Sequence, residues 1–194
     1  MCGRYYIPEE DVSEDLRQII EEISRRHNGD DSVKTSGEIY PSDCVPVVAN
    51  NRSLIPTPFV MQWGYTLADG KKLINARSET AADKALFQEG MENRRCLIPA
   101  GNYFEWEKRG KEKIKYAIRP ADSPSMYMAG IYRLERGKPV FTILTRSPAD
   151  SIAFIHNRMP VILPREAHKD WLNIRYDAGD VIKAAVGDVR FCFV

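Results

Sequence analysis

The chain has 194 residues, 43% of them hydrophobic and 28% charged. That is enough apolar material for one core of ordinary size and too much for a disordered or low-complexity chain. Twenty-eight basic and 27 acidic side chains leave a net charge of +1, so an anionic partner has to be held by local charge and not by the field of the whole molecule.

No apolar run approaches the roughly 20 residues of a membrane helix, and Met1-Cys2-Gly3-Arg4-Tyr5-Tyr6 lacks the apolar stretch of a signal peptide. A cytoplasmic protein with no membrane association is expected. Cys2, Cys44, Cys96 and Cys192 form no Cys-x-x-Cys pair and, with three scattered histidines, match no zinc spacing. Neither disulfides nor a bound metal nor any other cofactor is expected.

The N-terminal part is acidic and the middle basic: nine acidic and three basic residues lie between Glu9 and Asp31, against thirteen basic and eight acidic between Arg52 and Arg119. Val12, Leu16, Ile19, Ile20 and Ile23 recur at helical spacing before His27-Asn28-Gly29, which predicts an amphipathic helix over about 9–27 with its acidic face in water. Residues 28–38 read as a surface loop, and 41–49 as a short strand limited to a sheet edge by its prolines. Ser78 is placed to cap a second helix, with Glu79 in its first turn and Ala82, Ala85, Leu86 and Phe87 on its buried face. From Cys96 onward the pattern is of short strands at 96–98, 116–118, 126–132, 140–144 and 189–194, with short helices near 149–155, 164–172 and 178–184. The run Lys108, Arg109, Lys111, Lys113, Lys115 reads as a solvated hairpin tip. The expected fold is α+β, a single domain over 1–194 whose mainly antiparallel, curved or barrel-like sheet is flanked by helices.

Cys2 is the most informative residue. A small second residue permits removal of Met1, which leaves a free α-amine beside a thiol. An α-amine with a reference pKa of about 7.7–8.0 is partly neutral near neutral pH, and the neighbouring thiol titrates near 8.5. The amine can condense with an aldehyde to an imine, and the sulfur can then close a five-membered thiazolidine. On position alone, a small buried apolar cysteine is the competing reading.

Four segments resemble the signatures of SOS response-associated peptidase (SRAP) proteins. They are Met1-Cys2-Gly3-Arg4-Tyr5; Trp63-Gly64-Tyr65 with Asn75-Ala76-Arg77-Ser78-Glu79; Arg94 to Ala100 leading into Tyr103-Phe104-Glu105-Trp106; and His156-Asn157-Arg158-Met159-Pro160-Val161-Ile162-Leu163. The resemblance spans nearly the whole chain. It implies a compact α+β domain that covalently traps abasic sites in single-stranded DNA through its N-terminal cysteine in the DNA damage (SOS) response. It also implies self-processing of the N-terminus, hence the peptidase or hydrolase label, and some lyase character.

Carried over by this resemblance, the catalytic set is Cys2, Asn75, Glu105 and His156. An abasic sugar is mostly a closed hemiacetal, so reaction needs an acid at the ring oxygen and a base for the α-ammonium; a carboxylate and an imidazole divide that work. Asn75 supplies a neutral donor and acceptor. By period-two alternation Glu105 faces away from Phe104 and Trp106, which suits an outward position or a functional one equally.

The expected partner is abasic single-stranded DNA, met by Arg77, Arg4 and Arg158 at phosphates and by Trp63 as a stacking platform that competes with a core role. Trp106 and Trp171 are assigned to the core, and a monomer is expected. One departure from the family pattern concerns structure: Gly101-Asn102 stands where glycine usually comes second, so Asn102 is expected at a positive φ. Two alternatives stand beside the crosslinker, a cysteine peptidase using Cys2 and His156, and a noncatalytic single-strand-binding module.

Overall fold

A computed structural model describes residues 2–10, 13–27, 30 and 32–194. In chain order the elements are β1 (Tyr5–Ile7), α1 (Glu14–Arg26), β2 (Gly37–Ile39), β3 (Cys44–Asn50), β4 (Pro56–Trp63), β5 (Tyr65–Thr66), β6 (Lys72–Leu73), β7 (Asn75–Arg77) and α2 (Ala85–Asn93). There follow β8 (Arg95–Ala100), β9 (Asn102–Arg109), β10 (Glu112–Pro120), β11 (Met126–Glu135), β12 (Lys138–Arg146), β13 (Met159–Pro160), β14 (Ile162–Leu163), α3 (His168–Leu172), α4 (Ala178–Ile182) and β15 (Val189–Phe193).

The pairing β12-β4-β3-β8-β11 returns to β12, so five strands close into a ring. A second sheet, β15-β10-β9-β1-β2, carries the N-terminal strand between β9 and β2. Period-two alternation divides the core in two. One set of barrel side chains, among them Val47, Met61, Trp63, Ile98, Met128, Phe141 and Ile143, packs with Tyr5, Tyr103, Tyr116 and Ile118 of the second sheet. The alternate set, with Leu97, Ile131 and Leu144, packs with Phe87 and Met91 of α2 and Trp171 of α3. The result is the expected α+β fold with a curved, mainly antiparallel sheet and flanking helices.

Helix α1 begins at the cap Ser13, whose Oγ accepts from the Leu16 amide, and buries Leu16 and Ile23 as its periodicity requires. Val12 and the stop signal Asn28-Gly29 lie outside the described residues, as does Met1. The expected loop over 28–38 ends in strand β2, paired to β1 through Tyr5↔Ile39 and Ile7↔Gly37. Strand β3 is not an edge strand: it pairs with β4 along its length and with β8 at Val48 and Ala49. Pro46 is accommodated because its stretch of β3 is paired on one side only.

The helix expected from Ser78 starts later, at Ala85, with Lys84 in the cap position. The Ser78 amide donates to the Thr145 carbonyl, extending the parallel β7–β12 pairing, and Glu79 is drawn to Arg158. Phe87, Gly90 and Met91 make the buried face, whereas Ala82, Ala85 and Leu86 are exposed. Asn102 is not at positive φ. Gly101 is required instead for close approach, since a Cβ there would lie 2.6 Å from Pro8 Cγ. The basic run is the β9–β10 hairpin tip, turning at Gly110 (φ +62°). Among the described residues no helix is long and apolar enough to cross a membrane.

Candidate functional site

Cys2 lies just before β1 and is fully buried, with Sγ donating to the Arg4 carbonyl oxygen at 3.8 Å. Asn75, at the start of β7 where that strand joins β12, donates from Nδ2 to the Cys2 carbonyl oxygen at 2.9 Å. Both partners are buried, so the bond fixes the main chain of Cys2 to the barrel. The Asn75 Oδ1 is buried without a hydrogen-bond partner among the described residues.

Glu105 sits in the middle of β9, opposite Tyr116 of β10 and two residues from Tyr103, which pairs with Tyr5 of β1. Alternation directs it inward: it is 4% exposed, while its neighbour Trp106 is half-exposed. Of the two readings the sequence left open for this carboxyl, the outward one is excluded. Burial pushes the Glu105 carboxyl above its ordinary range, with His156 pulling in the opposite direction. The Cys2 thiol is pushed well up by burial and then by the Glu105 carboxylate, so it is a neutral thiol at physiological pH.

His156 follows the short turn Asp150–Ile152, donates its amide to the Ile152 carbonyl oxygen and is half-buried. Its Nδ1 accepts from the Arg158 amide at 3.0 Å. A backbone N–H can only donate, so Nε2 is the atom that carries the ring proton in the neutral imidazole. Of Cys2, Asn75, Glu105 and His156, spread over the whole chain, Asn75 is hydrogen-bonded to Cys2, and Glu105 interacts electrostatically with Cys2 and with His156. The hydroxyls of Tyr5 and Tyr103 lie in the same interior, buried and without hydrogen-bond partners among the described residues.

The residues expected at the nucleic acid divide differently. Arg77, at the exposed end of β7, has no hydrogen bond or ion pair from its side chain to another described residue. Arg4 is half-buried, paired with Glu38 at 3.3 Å and seated over the rings of Tyr40 (4.3 Å) and Trp106 (5.1 Å). Arg158 is committed elsewhere: its two Nη atoms bind the two oxygens of Glu79, each at 2.7 Å, and Nη2 also donates to the Thr145 carbonyl. It is a clamp between the 156–158 turn and the β7–β12 seam.

Trp63 cannot be a stacking platform. It is fully buried, Nε1 donates to the Ile74 carbonyl, and its ring lies against Tyr5 and Phe141. Trp171 is a core residue, fully buried with Nε1 on the Cys96 carbonyl. Trp106, also assigned to the core, is instead a half-exposed ring under the Arg4 guanidinium. The signal for it was present in the alternation: once Glu105 faces inward, Trp106 must face out. Glu38 and Glu79, which hold Arg4, Lys115 and Arg158, carried no such signal because their partners come from distant strands.

Among the described residues no group of three or more His, Cys, Asp or Glu side chains could hold a metal ion. What the fold and the site define is a closed five-stranded barrel with an N-terminal cysteine drawn into its core beside an inward carboxyl, an amide and an imidazole. The same fold occurs in crystal structures of a protein from Bacteroides thetaiotaomicron (TM-score 0.78, 22% identity, 100% of this chain and 92% of that one) and of a phage-related protein from Bordetella bronchiseptica (TM-score 0.76, 22% identity, 100% and 94%).

The family described as SOS response associated peptidase (SRAP) matches residues 1–188, and the chain belongs to that family. It is similar to the abasic site processing protein YoqW of Bacillus subtilis, 31% identical over 201 residues that cover 95% of this chain and 85% of that protein. It is also similar to the abasic site processing protein YedK of Escherichia coli, 31% identical over 179 residues covering 89% and 79%.

Proposed function

We propose that this chain processes abasic sites in DNA, and that it does so by crosslinking covalently to them in single strands through the aminothiol exposed when Met1 is removed. The observation that carries the reading is the Asn75 hydrogen bond to the Cys2 carbonyl in a buried setting that also contains the inward Glu105. An ordinary terminal cysteine has no need of a dedicated buried anchor. The names of the curated relatives point to the same class of lesion.

The steps follow from the chemistry. Glu105, raised by burial, exchanges a proton with the ring oxygen of the sugar, with the α-amine and with the departing hydroxyl, while the Nε2–H of His156 donates a hydrogen bond to that hydroxyl. The amine nitrogen adds to the freed aldehyde carbon and water leaves, giving an imine. The sulfur then bonds to the imine carbon as the thiol proton passes to nitrogen, closing the thiazolidine with a net loss of one water. Arg77, unpaired among the described residues, is a cation for a phosphate, and Trp106 with Arg4 offers the flat face for an unpaired base.

The neutral thiol argues against a peptidase working through a Cys2–His156 ion pair, which requires a thiolate. The test is incubation of processed protein with a single-stranded oligonucleotide carrying one abasic site, read on a denaturing gel without reductant. A stable adduct is expected. Its absence, or an adduct seen only after borohydride, would remove the thiazolidine from the mechanism.

A further inference from the structure

On the outward face of the second sheet lies a cleft of about 540 Å³ that the site above does not use, lined by Tyr6, Asn102, Ala117, Arg119, Arg190 and Cys192 among others. Arg119 of β10 stands directly opposite Arg190 of β15. Like charges facing one another across an antiparallel pair are destabilising, on a scale of roughly 0.2–1 kcal/mol. On this side of the molecule Arg4 and Lys115 are matched with Glu38, and Arg109 with Glu107, whereas Lys108 and Lys113 face each other at the exposed hairpin tip with no ion pair among the described residues. Arg119 and Arg190 have no ion pair among the described residues, and Glu10 is the only acidic side chain among the described residues lining the cleft.

The next position in the same row is Asn102, which pairs on its other side with Tyr6 of β1. Its Nδ2 is buried without a hydrogen-bond partner among the described residues. Two guanidinium groups and an amide donor thus line one opening, with no hydrogen bond or ion pair from these side chains to another described residue. Arg4 lies two residues from Tyr6 on the same face of β1, and Trp106 two residues beyond Phe104 on β9. The cleft is therefore continuous with the Arg4–Trp106 surface at a spacing of about 7 Å per row.

We propose that this cleft holds the phosphodiester backbone of single-stranded DNA flanking the reacting site, with Arg119 and Arg190 on either side of a phosphate and the Asn102 amide donating to it. This rests on the reading of the partner as single-stranded DNA. A phosphate between the two arginines relieves their repulsion and satisfies the orphaned donor. The half-buried Tyr6–Ala117 floor, next to the aromatic face of Trp106, suits a strand with unpaired bases better than an isolated small anion.

The experiment measures binding of a fluorescent oligothymidine strand without any abasic site, as a function of salt, for wild type and for Arg119→Gln/Arg190→Gln. Losing the phosphate contact should flatten the slope of log affinity against log salt by about 0.7 or more. Arg52→Gln, at an exposed arginine outside the cleft, should leave the slope unchanged. Cys192 supplies a second readout that needs no variant, because it is the exposed free thiol and lines the cleft. Saturating strand should slow its alkylation by maleimide.

An unchanged slope in the folded double variant, or alkylation of Cys192 indifferent to the strand, would overturn the assignment. Both readouts use lesion-free DNA. A wild-type chain that passes them yet makes no adduct with an abasic strand would sink the proposed chemistry and leave the cleft standing.

Discussion

Replacing Asn75 probes the junction of fold and chemistry. In Asn75→Ala the Cys2 carbonyl oxygen loses the 2.9 Å bond from Nδ2 and remains buried. Leaving a buried acceptor without a donor costs about 1–3 kcal/mol. For a domain of this size each kcal/mol moves the melting temperature by about 2–4 °C, so a fall of roughly 2–12 °C is expected. The effect on reaction should be larger than the effect on stability. The Cys2 main chain carries both nucleophiles, and a displacement of about 1 Å from reactive geometry can cost on the order of 100-fold in rate. Asn75→Asp is the decisive companion. It keeps the shape of the side chain but turns the donor into an acceptor facing the carbonyl oxygen. Melting and the rate of adduct formation on an abasic single strand are measured for both variants. If Asn75 acts by donating to Cys2, Asp should react as poorly as Ala. An Asp variant that crosslinks at the wild-type rate would refute the positioning argument, and so would an Ala variant that is destabilised but fully reactive.

Four further outcomes follow from the site. Because burial raises the Glu105 carboxyl, the folded chain holds that proton more tightly than the unfolded one; wild-type stability should fall as pH rises from the ordinary value near 4.5 through the raised one and level off above it. Glu105→Gln removes that loss, so its melting advantage over wild type should grow across that window while adduct formation collapses; parallel melting curves would contradict it. Arg77→Ala should flatten the salt dependence of single-strand binding by about 0.7 without altering melting. Arg158→Ala should lower stability by only about 1 kcal/mol, since the Thr145 carbonyl it leaves keeps its bond from the Ser78 amide, and should not flatten that slope by the amount Arg77 does. Tyr103→Phe deletes a buried hydroxyl without a partner among the described residues and should raise stability by about 1 kcal/mol in a denaturant titration; a loss instead would mean that the hydroxyl is satisfied in solution.

Much of this was legible in the chain itself. Helix α1 could be read from its spacing, and the strands from Cys96 onward from their β-branched and aromatic runs, because those patterns are local. What failed depended on partners far away in sequence. Ser78 looks like a helix cap, yet its amide completes the seam with Thr145, and Glu79 answers to Arg158. Strand β4 opens Pro-Thr-Pro and hides its pairing, which β3 and β12 supply. At the site, the four candidate residues were named from motifs, and the approach of Asn75 to Cys2 depends on a ring closure that no local window contains. Trp63 proved buried and Trp106 half-exposed for one reason: the facing of an aromatic side chain is set by the register of its strand, and the composition around it carries little of that information.

The most direct measurement of the central claim compares three homogeneous preparations on the same abasic single strand by intact mass: processed chain, chain retaining Met1, and processed Cys2→Ser. The aminothiol account requires a stable adduct from the first, no thiazolidine from the second, and from the third mainly an imine that survives only after borohydride. A thiol acting alone reverses the order of the last two. A stable adduct from protein that retains Met1 would contradict the account.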